Sequence, residues 1–325
     1  TRARVLEASG SGVRLRDELT GSTVTVAARS VVNATGVWAG SLAGDIGLRP
    51  SRGTHLVLRR ETLPGLQVSV FAPIPGAINR FVLVLPQPDG TVYVGLTDEP
   101  ADGDIPDVPQ PTEPEIGFLL DVVGAAFARP LHRAAVVGAF AGLRPLLDVP
   151  RGGGGTAGSR RHAVHTGSDG LVTVVGGKLT TYRRMAEDAV DAAARAGRLD
   201  PGPCRTRTTP LAGAASRPVL AGLELSPRLV RRFGNDAALV LDTARQVTGL
   251  GDEELLAPAS AQVPVTLAEL VFGVTHEGAA DVADLLERRT RVGVVPADLD
   301  VARPLAERAL VLAGRADRQY LDADR

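Results

Sequence analysis

"VVGGKLTTYRRMAEDAVDAAA", Val174 to Ala194, is the stretch on which the fold turns. An apolar run ends in Gly176 and Gly177; Lys178, Leu179, Thr180 and Thr181 then lead into a segment of helical periodicity. Two readings of this turn are open. In one, Thr180 or Thr181 caps the helix and Lys178 is solvated. In the other, glycines admit a close backbone approach, and a cation and the unpaired N–H groups of a helix start cradle an electron-rich ligand.

Outward from that stretch, the chain has 325 residues, enough for two domains, and a 44% hydrophobic composition that can fill packed cores. Its 36 basic and 37 acidic residues nearly cancel, which argues against a general nucleic-acid binder. A single cysteine, Cys204, excludes an internal disulfide framework and suits a reducing, cytoplasmic setting. No apolar run reaches the roughly 18 residues that cross a bilayer. The sequence opens "TRARVLEASGSG", with no initiator methionine and inside strand-like material, and reads as lacking an upstream part.

Alternation over Val13, Leu15, Val24 and Val26 predicts a β-hairpin, and "SVVNATG" a short buried strand ending in a tight turn. "VWAGSLAGDIG" predicts a short helix closed by Gly47. Strands are expected in "THLVLRR", "VSVFAPI", "RFVLVLPQ", "TVYVGLTD" and "AAVVGAFAGLRPL", with a helix in "PTEPEIGFLLDVVGAAF". "HAVHT" and "LVTVVGG" pair as a hairpin, and Gly152–Gly155 before them read as a surface loop. After the linker "CRTRTTPLAGAASRP" three amphipathic segments follow, over 226–247, 265–292 and 301–321. The predicted class is α/β (α+β) with a mixed substrate-domain sheet over about 51–150, a first domain over 1–203 and an all-helical domain over 204–325.

Polar clusters stand at the ends of apolar strands: Asn33-Ala34-Thr35-Gly36, Arg52-Gly53-Thr54-His55, Arg144 with Ser159-Arg160-Arg161-His162, and Gly176 to Arg183. Arg144, stiffened by Pro145, is either an ion-pair partner or a fork for phosphate or carboxylate. His55 is either structural or a base near neutral pH. Arg288, Arg289 and Arg291 read as cations complementing a helix C-terminus. His162 and His165 lack partner ligands, so no metal site is expected.

In this order, "VVNATGVWAG", "RGTHLVL", "VYVGLTD", "AGLRPLL", "SRRH" and above all "GGKLTTYRRMAEDAVD" resemble the FAD-dependent, quinone-linked glycerol-3-phosphate dehydrogenases of the D-amino-acid-oxidase-like fold. "CRTRTTPLAGA" and "VADLLERRTRVG" resemble that family's C-terminal domain, so the likeness spans nearly the whole chain. The resemblance implies oxidation of glycerol 3-phosphate to dihydroxyacetone phosphate, with hydride passing to FAD and electrons to a quinone. It implies cofactor contacts from Asn33, Ala34, Thr35 and Gly36, and from Gly176, Gly177, Lys178, Leu179, Thr180 and Thr181. It implies Arg144 and Arg160 on the substrate phosphate, His55 on the 2-hydroxyl proton, and Lys178 beside flavin and substrate. Peripheral contact with the inner face of the cell membrane and a homodimer are also compatible with it. The sequence departs from the family in lacking a strand, G-x-G-x-x-G turn and helix that would hold the FAD pyrophosphate, and in Arg161, a position more often acidic. Two alternatives stand: an amine or amino-acid oxidase of the same fold, with Arg144 on a carboxylate, and a binding module without catalysis.

Overall fold

A computed structural model describes residues 2–147 and 161–323, with side chains described up to residue 314. Gly152–Gly155 and Arg160 lie outside the described residues. The chain begins with β1 (Ala3–Ser9), β2 (Gly12–Asp17) and β3 (Thr23–Ala27), an antiparallel meander in which Val13 opposes Val26 and Leu15 opposes Val24. β4 is only Val32–Asn33, and a 3-10 turn over Gly36–Trp38 runs into α1 (Ala39–Leu42). The helix expected to reach Gly47 ends earlier, because Ala43 adopts extended backbone. Then come β5 (Leu48–Arg59), β6 (Val70–Pro73), β7 (Phe81–Pro86), β8 (Thr91–Gly95), β9 (Glu99–Pro100), α2 (Glu113–Ala126), β10 (Val136–Leu147), β11 (His162–Thr166), β12 (Val172–Gly176) and α3 (Tyr182–Ala196).

Beyond α3 the chain is helical: α4 (Arg217–Ala221), α5 (Pro227–Phe233), α6 (Ala237–Thr248), α7 (Asp252–Leu256), α8 (Leu267–Thr275) and α9 (Pro296–Ala323), with a π-helical turn over Asp284–Arg289. The amphipathic segment over 226–247 is not one helix. Gly234 breaks it at φ 60°, a backbone that favours glycine. Gly278, at φ 66°, breaks the next segment in the same way.

The strands form three sheets. β1-β2-β3 is one, and β11-β12-β4 is another in which β4 runs parallel to β12. The largest has the order β10-β5-β8-β7-β6, with β9 also on β5. Parallel and antiparallel pairs both occur, as a mixed architecture requires. In β5, Leu56, Val57 and Leu58 are all fully buried, so the strand is covered on both faces. Leu56 and Leu58 pack with Ile116, Leu119 and Val123 of α2. The helices past residue 210 share their own core around Leu229, Leu241, Leu270 and Leu285.

Two compact units result, one of Thr1–Thr54, Leu96–Thr112 and Ala141–Thr209, the other of His55–Gly95, Glu113–Phe140 and Pro210–Arg325. In the first, α3 lays Ala192 and Ala193 on Val172 of β12, where small side chains let helix and sheet approach closely. In the second, the α2-backed sheet and the C-terminal helices lie in one unit.

Candidate functional site

The turn between β12 and α3 is built from backbone. Gly176 and Gly177 take φ of 73° and 80°. A Cβ on Gly177 would sit 2.5 Å from Met185 Sδ, and one on Gly176 2.7 Å from the Arg161 carbonyl oxygen. Both positions therefore require glycine. A 3-10 turn over Leu179–Thr181 precedes α3, and the Thr181 hydroxyl donates to the Lys178 carbonyl at 2.9 Å and accepts from the Lys178 N–H at 3.3 Å. Thr181 thus closes the turn back onto Lys178, and its hydroxyl makes no capping bond to the first N–H groups of α3. The face outside it is open: Lys178, Thr180 and Thr181 are exposed and Leu179 is 87% exposed. The N–H groups of Lys178 and Thr181 are spent inside the turn, so among the described residues Gly177, Leu179 and Thr180 are left to make the electropositive face of this helical start.

The second glycine-bearing turn lies next to it, because Asn33 of β4 is in register with Thr173 of β12. Asn33 is buried, and its amide nitrogen donates to the Ala39 carbonyl at 3.1 Å and to Thr173 Oγ1 at 3.3 Å. Its Oδ1 accepts from the Thr35 N–H at 3.3 Å and from Thr35 Oγ1 at 2.7 Å. Those bonds exhaust the side chain's capacity. Asn33 therefore shapes the turn that presents Ala34, Thr35 and Gly36, the last at φ 64°.

Arg144, on β10, is held in place. Its Nη1 lies 3.3 Å from Ser51 Oγ and from Asp98 Oδ1, and its Nη2 donates to the Thr97 carbonyl at 3.1 Å. Ser51 donates to the same Asp98 carboxylate. The guanidinium lies against Gly53, where any Cβ would collide with it. These bonds use three of the five N–H donors that an arginine carries. The ion-pair alternative is thus realised through Asp98, and among the described residues the other two donors have no partner. Arg52 and Leu143, one position along each strand, line a cavity of about 240 Å3 with the loop over 100–110. Strand alternation puts them on the face opposite Ser51, Gly53 and Arg144.

His55, half-buried on β5, opposes Gly95 of β8. Its ring stacks on Phe140 with centroids 5.0 Å apart and planes 5° apart. Ser51, Thr97, Asp98, Gly95 and Phe140 join these groups without a role expected from the sequence. The polar "LTD" directly after β8 was the available signal for Asp98; nothing local marks Phe140.

Behind the glycine turn, His162 Nε2 lies 2.8 Å from Asp188 Oδ2 and Arg184 Nη2 lies 2.8 Å from Asp188 Oδ1. The His162 hydrogen bond, with Arg184 adding to it, holds the Asp188 carboxyl below its ordinary value. Among the described residues no three His, Cys, Asp or Glu side chains gather as a metal ion would need. Among them also, no helix is long and apolar enough to cross a membrane.

Residues 1–183 match the FAD dependent oxidoreductase family, and residues 204–315 match the C-terminal domain of alpha-glycerophosphate oxidase. The chain belongs to the FAD-dependent oxidoreductase family. It is 46% identical over 298 residues to "Glycerol-3-phosphate dehydrogenase 1" of Mycobacterium tuberculosis, covering 89% of this chain and 56% of that protein. It is 31% identical over 330 residues to "Glycerol-3-phosphate dehydrogenase, mitochondrial" of Mesocricetus auratus, covering 94% of this chain and 43% of that one. Among solved structures it is similar to the glycerol-3-phosphate dehydrogenase of Bacillus halodurans complexed with FAD, at 26% identity and a TM-score of 0.73, over 98% of this chain and 68% of that one. The chain spans about half the length of the curated relatives it matches.

Membership of a flavin family can be tested on this chain's own residues. The redox ring of a flavin gathers negative charge at its pyrimidine end on reduction, and it needs N–H donors and close backbone approach there. The Gly176–Thr181 turn offers both, with two glycines whose missing Cβ atoms are required by the packing. The residues present fit the group.

Proposed function

We propose that the protein of which this chain forms part oxidises sn-glycerol 3-phosphate to dihydroxyacetone phosphate and delivers the electrons to a quinone. Bound FAD would supply the two-electron chemistry by accepting the C2 hydride. The observation that carries the proposal is the glycine turn before α3, whose backbone is kept bare by packing and whose open face is cationic. The names of the similar proteins support the choice of substrate.

In this proposal the N–H groups of Gly177, Leu179 and Thr180, in the turn over Gly177–Thr181, with Ala34, Thr35 and Gly36, line the cofactor's redox end, and Lys178 adds a full charge there. Being fixed before any ligand arrives, these donors need no reorganisation when charge develops. His55 takes the 2-hydroxyl proton as C2 gives up hydride, which prevents an uphill protonated ketone. Arg144 binds the substrate phosphate with the donors not used on Ser51, Asp98 and Thr97, and Arg160 is its proposed second cation. A dianion leaves water cheaply only when more than one cation receives it. Peripheral membrane contact, a homodimer and a cytoplasmic setting complete the proposal; a quinone partner is what calls for the first of them.

Steady-state kinetics of full-length variants test the assignments. Arg144→Ala should raise KM for glycerol 3-phosphate by about 10- to 100-fold, the worth of charged hydrogen bonds. His55→Ala should lower kcat by about 100- to 10,000-fold with little change in substrate affinity. Wild-type kinetics in either variant would remove that residue from the site.

A further inference from the structure

The surroundings of His55 extend further than the stack on Phe140. Phe140 meets Tyr93 of β8 edge to face, with centroids 5.5 Å apart and planes 70° apart. The Arg291 guanidinium lies over the Tyr93 ring, 5.9 Å from its centroid. Arg291 takes the left-handed backbone conformation, at φ 59°, just after the π-helical turn. A non-glycine residue rarely adopts that conformation unless its surroundings fix it.

The surroundings do fix it. The segment from Arg291 to Asp298 meets the sheet that carries His55 at three places. Arg291 caps Tyr93. The Val294 carbonyl lies against Gly138 of β10, where a Cβ would collide with it. Asp298, at the start of α9, accepts two hydrogen bonds from the Arg59 guanidinium on β5, one of them at 3.0 Å. Burial pushes the Tyr93 phenol above its ordinary value, and the Arg291 charge offsets part of that rise. All of these residues lie in the second unit.

Across the β5–β8 pair the imidazole also meets backbone. Gly95 faces His55 across the β5–β8 pair, and a Cβ on it would collide with the ring. The ring is therefore fixed by a phenyl face and by the bare β8 strand. Stacking engages the ring faces rather than the edge that carries the two nitrogens. Freedom about the two side-chain torsions is what such an arrangement removes.

We propose that Phe140, Tyr93 and Arg291 are positioning residues for His55, so that the C-terminal helical region sets the orientation of the base used by the oxidoreductase region. The proposal rests on His55 being that base, and its test separates the two claims.

The test uses the full-length flavin-loaded protein with 13C-labelled histidine, the His55 resonance being assigned by its loss in His55→Ala. Phe140→Leu should remove the ring-current shift of His55 and lower kcat by about 10- to 100-fold at unchanged KM, because small misplacements of a reacting group carry costs of that order. Phe140→Tyr keeps the stacking face and should restore both readings. Arg291→Ala should move the His55 resonance in the same direction and lower kcat by about 2- to 5-fold, the worth of one cation–π contact. If Phe140→Leu does not fold, Arg291→Ala and Phe140→Tyr still decide the matter. A His55 resonance and kcat both at wild-type values in Arg291→Ala and Phe140→Leu, with His55→Ala slow, would overturn the positioning role. Wild-type turnover in His55→Ala would overturn the base itself, while the resonance still reports whether the stack exists.

Discussion

The turn at Gly176–Thr181 and the strand face around His55 each fix a reacting geometry, and they do so by opposite means. In the turn the backbone is the working surface. Side chains are excluded from it by positive φ at Gly176 and Gly177 and by Met185 and the Arg161 carbonyl packed close behind. Around His55 the working surface is a side chain, and the backbone of Gly95 is only its wall. A backbone device tolerates no substitution, whereas a stacked side chain tolerates any neighbour that keeps the face. That difference teaches which changes strain the fold and which merely misdirect a group.

Gly177→Ala should have the largest effect on stability. A Cβ there takes a left-handed backbone, about 1–2 kcal/mol, and must displace the flexible Met185 thioether and press on His162 Cβ, and should cost about 2–3 kcal/mol in chemical denaturation. Flavin absorbance should fall with it. Full stability in the variant would break the account of the turn. Gly95→Ala is the matching change on the strand face. Gly95 is extended in β8, so its Cβ brings no left-handed strain and only displaces the imidazole from Phe140; it should cost about 1 kcal/mol while kcat falls by about 10- to 100-fold. A stability loss as large as that of Gly177→Ala would erase the distinction between the two regions.

Asp98→Asn should have a smaller effect, raising KM for glycerol 3-phosphate by about 3- to 10-fold as Arg144 loses a charged partner. Arg144→Lys in the same background should show whether the planar fork against Gly53 matters. The smallest effect is expected at Asp188, behind the glycine turn. Its folded pKa is lowered by His162, so its contribution to stability is present above the ordinary carboxylate value and is lost as pH falls through the lowered one. Acid titration of unfolding should therefore show a loss below about pH 4 that flattens in Asp188→Asn. An identical acid limb in the variant would deny the pair any role.

The sequence made contiguous features legible and left cross-strand ones hidden. "GGKLTTYR" announces its turn because the glycines, cation and helix start are adjacent in the chain. β5 to β8 and β10 follow from apolar runs punctuated by Pro and Gly, and α2 from its acidic first turn, although β5 begins at Leu48, ahead of the expected run. Asn33 was legible as a site-turn residue, yet its side chain is spent on Ala39, Thr35 and Thr173, which only the β4–β12 register reveals. Arg144 was legible as a directed cation, but its partner Asp98 lies beyond β8. Phe140 and Gly95 reach His55 only through strand pairing. Arg291 read as a cation at a helix end, where the structure bends the chain into the left-handed region and lays it on Tyr93. The long helical segments looked continuous because periodicity survives across Gly234 and Gly278, while backbone conformation does not.

The most direct measurement is the flavin absorbance of the full-length protein under anaerobic conditions, titrated with glycerol 3-phosphate. Bleaching should be stoichiometric, and in Arg144→Ala it should reach the same end point at a substrate concentration about 10- to 100-fold higher. Flavin that stays oxidised at saturating glycerol 3-phosphate would contradict the proposed oxidation.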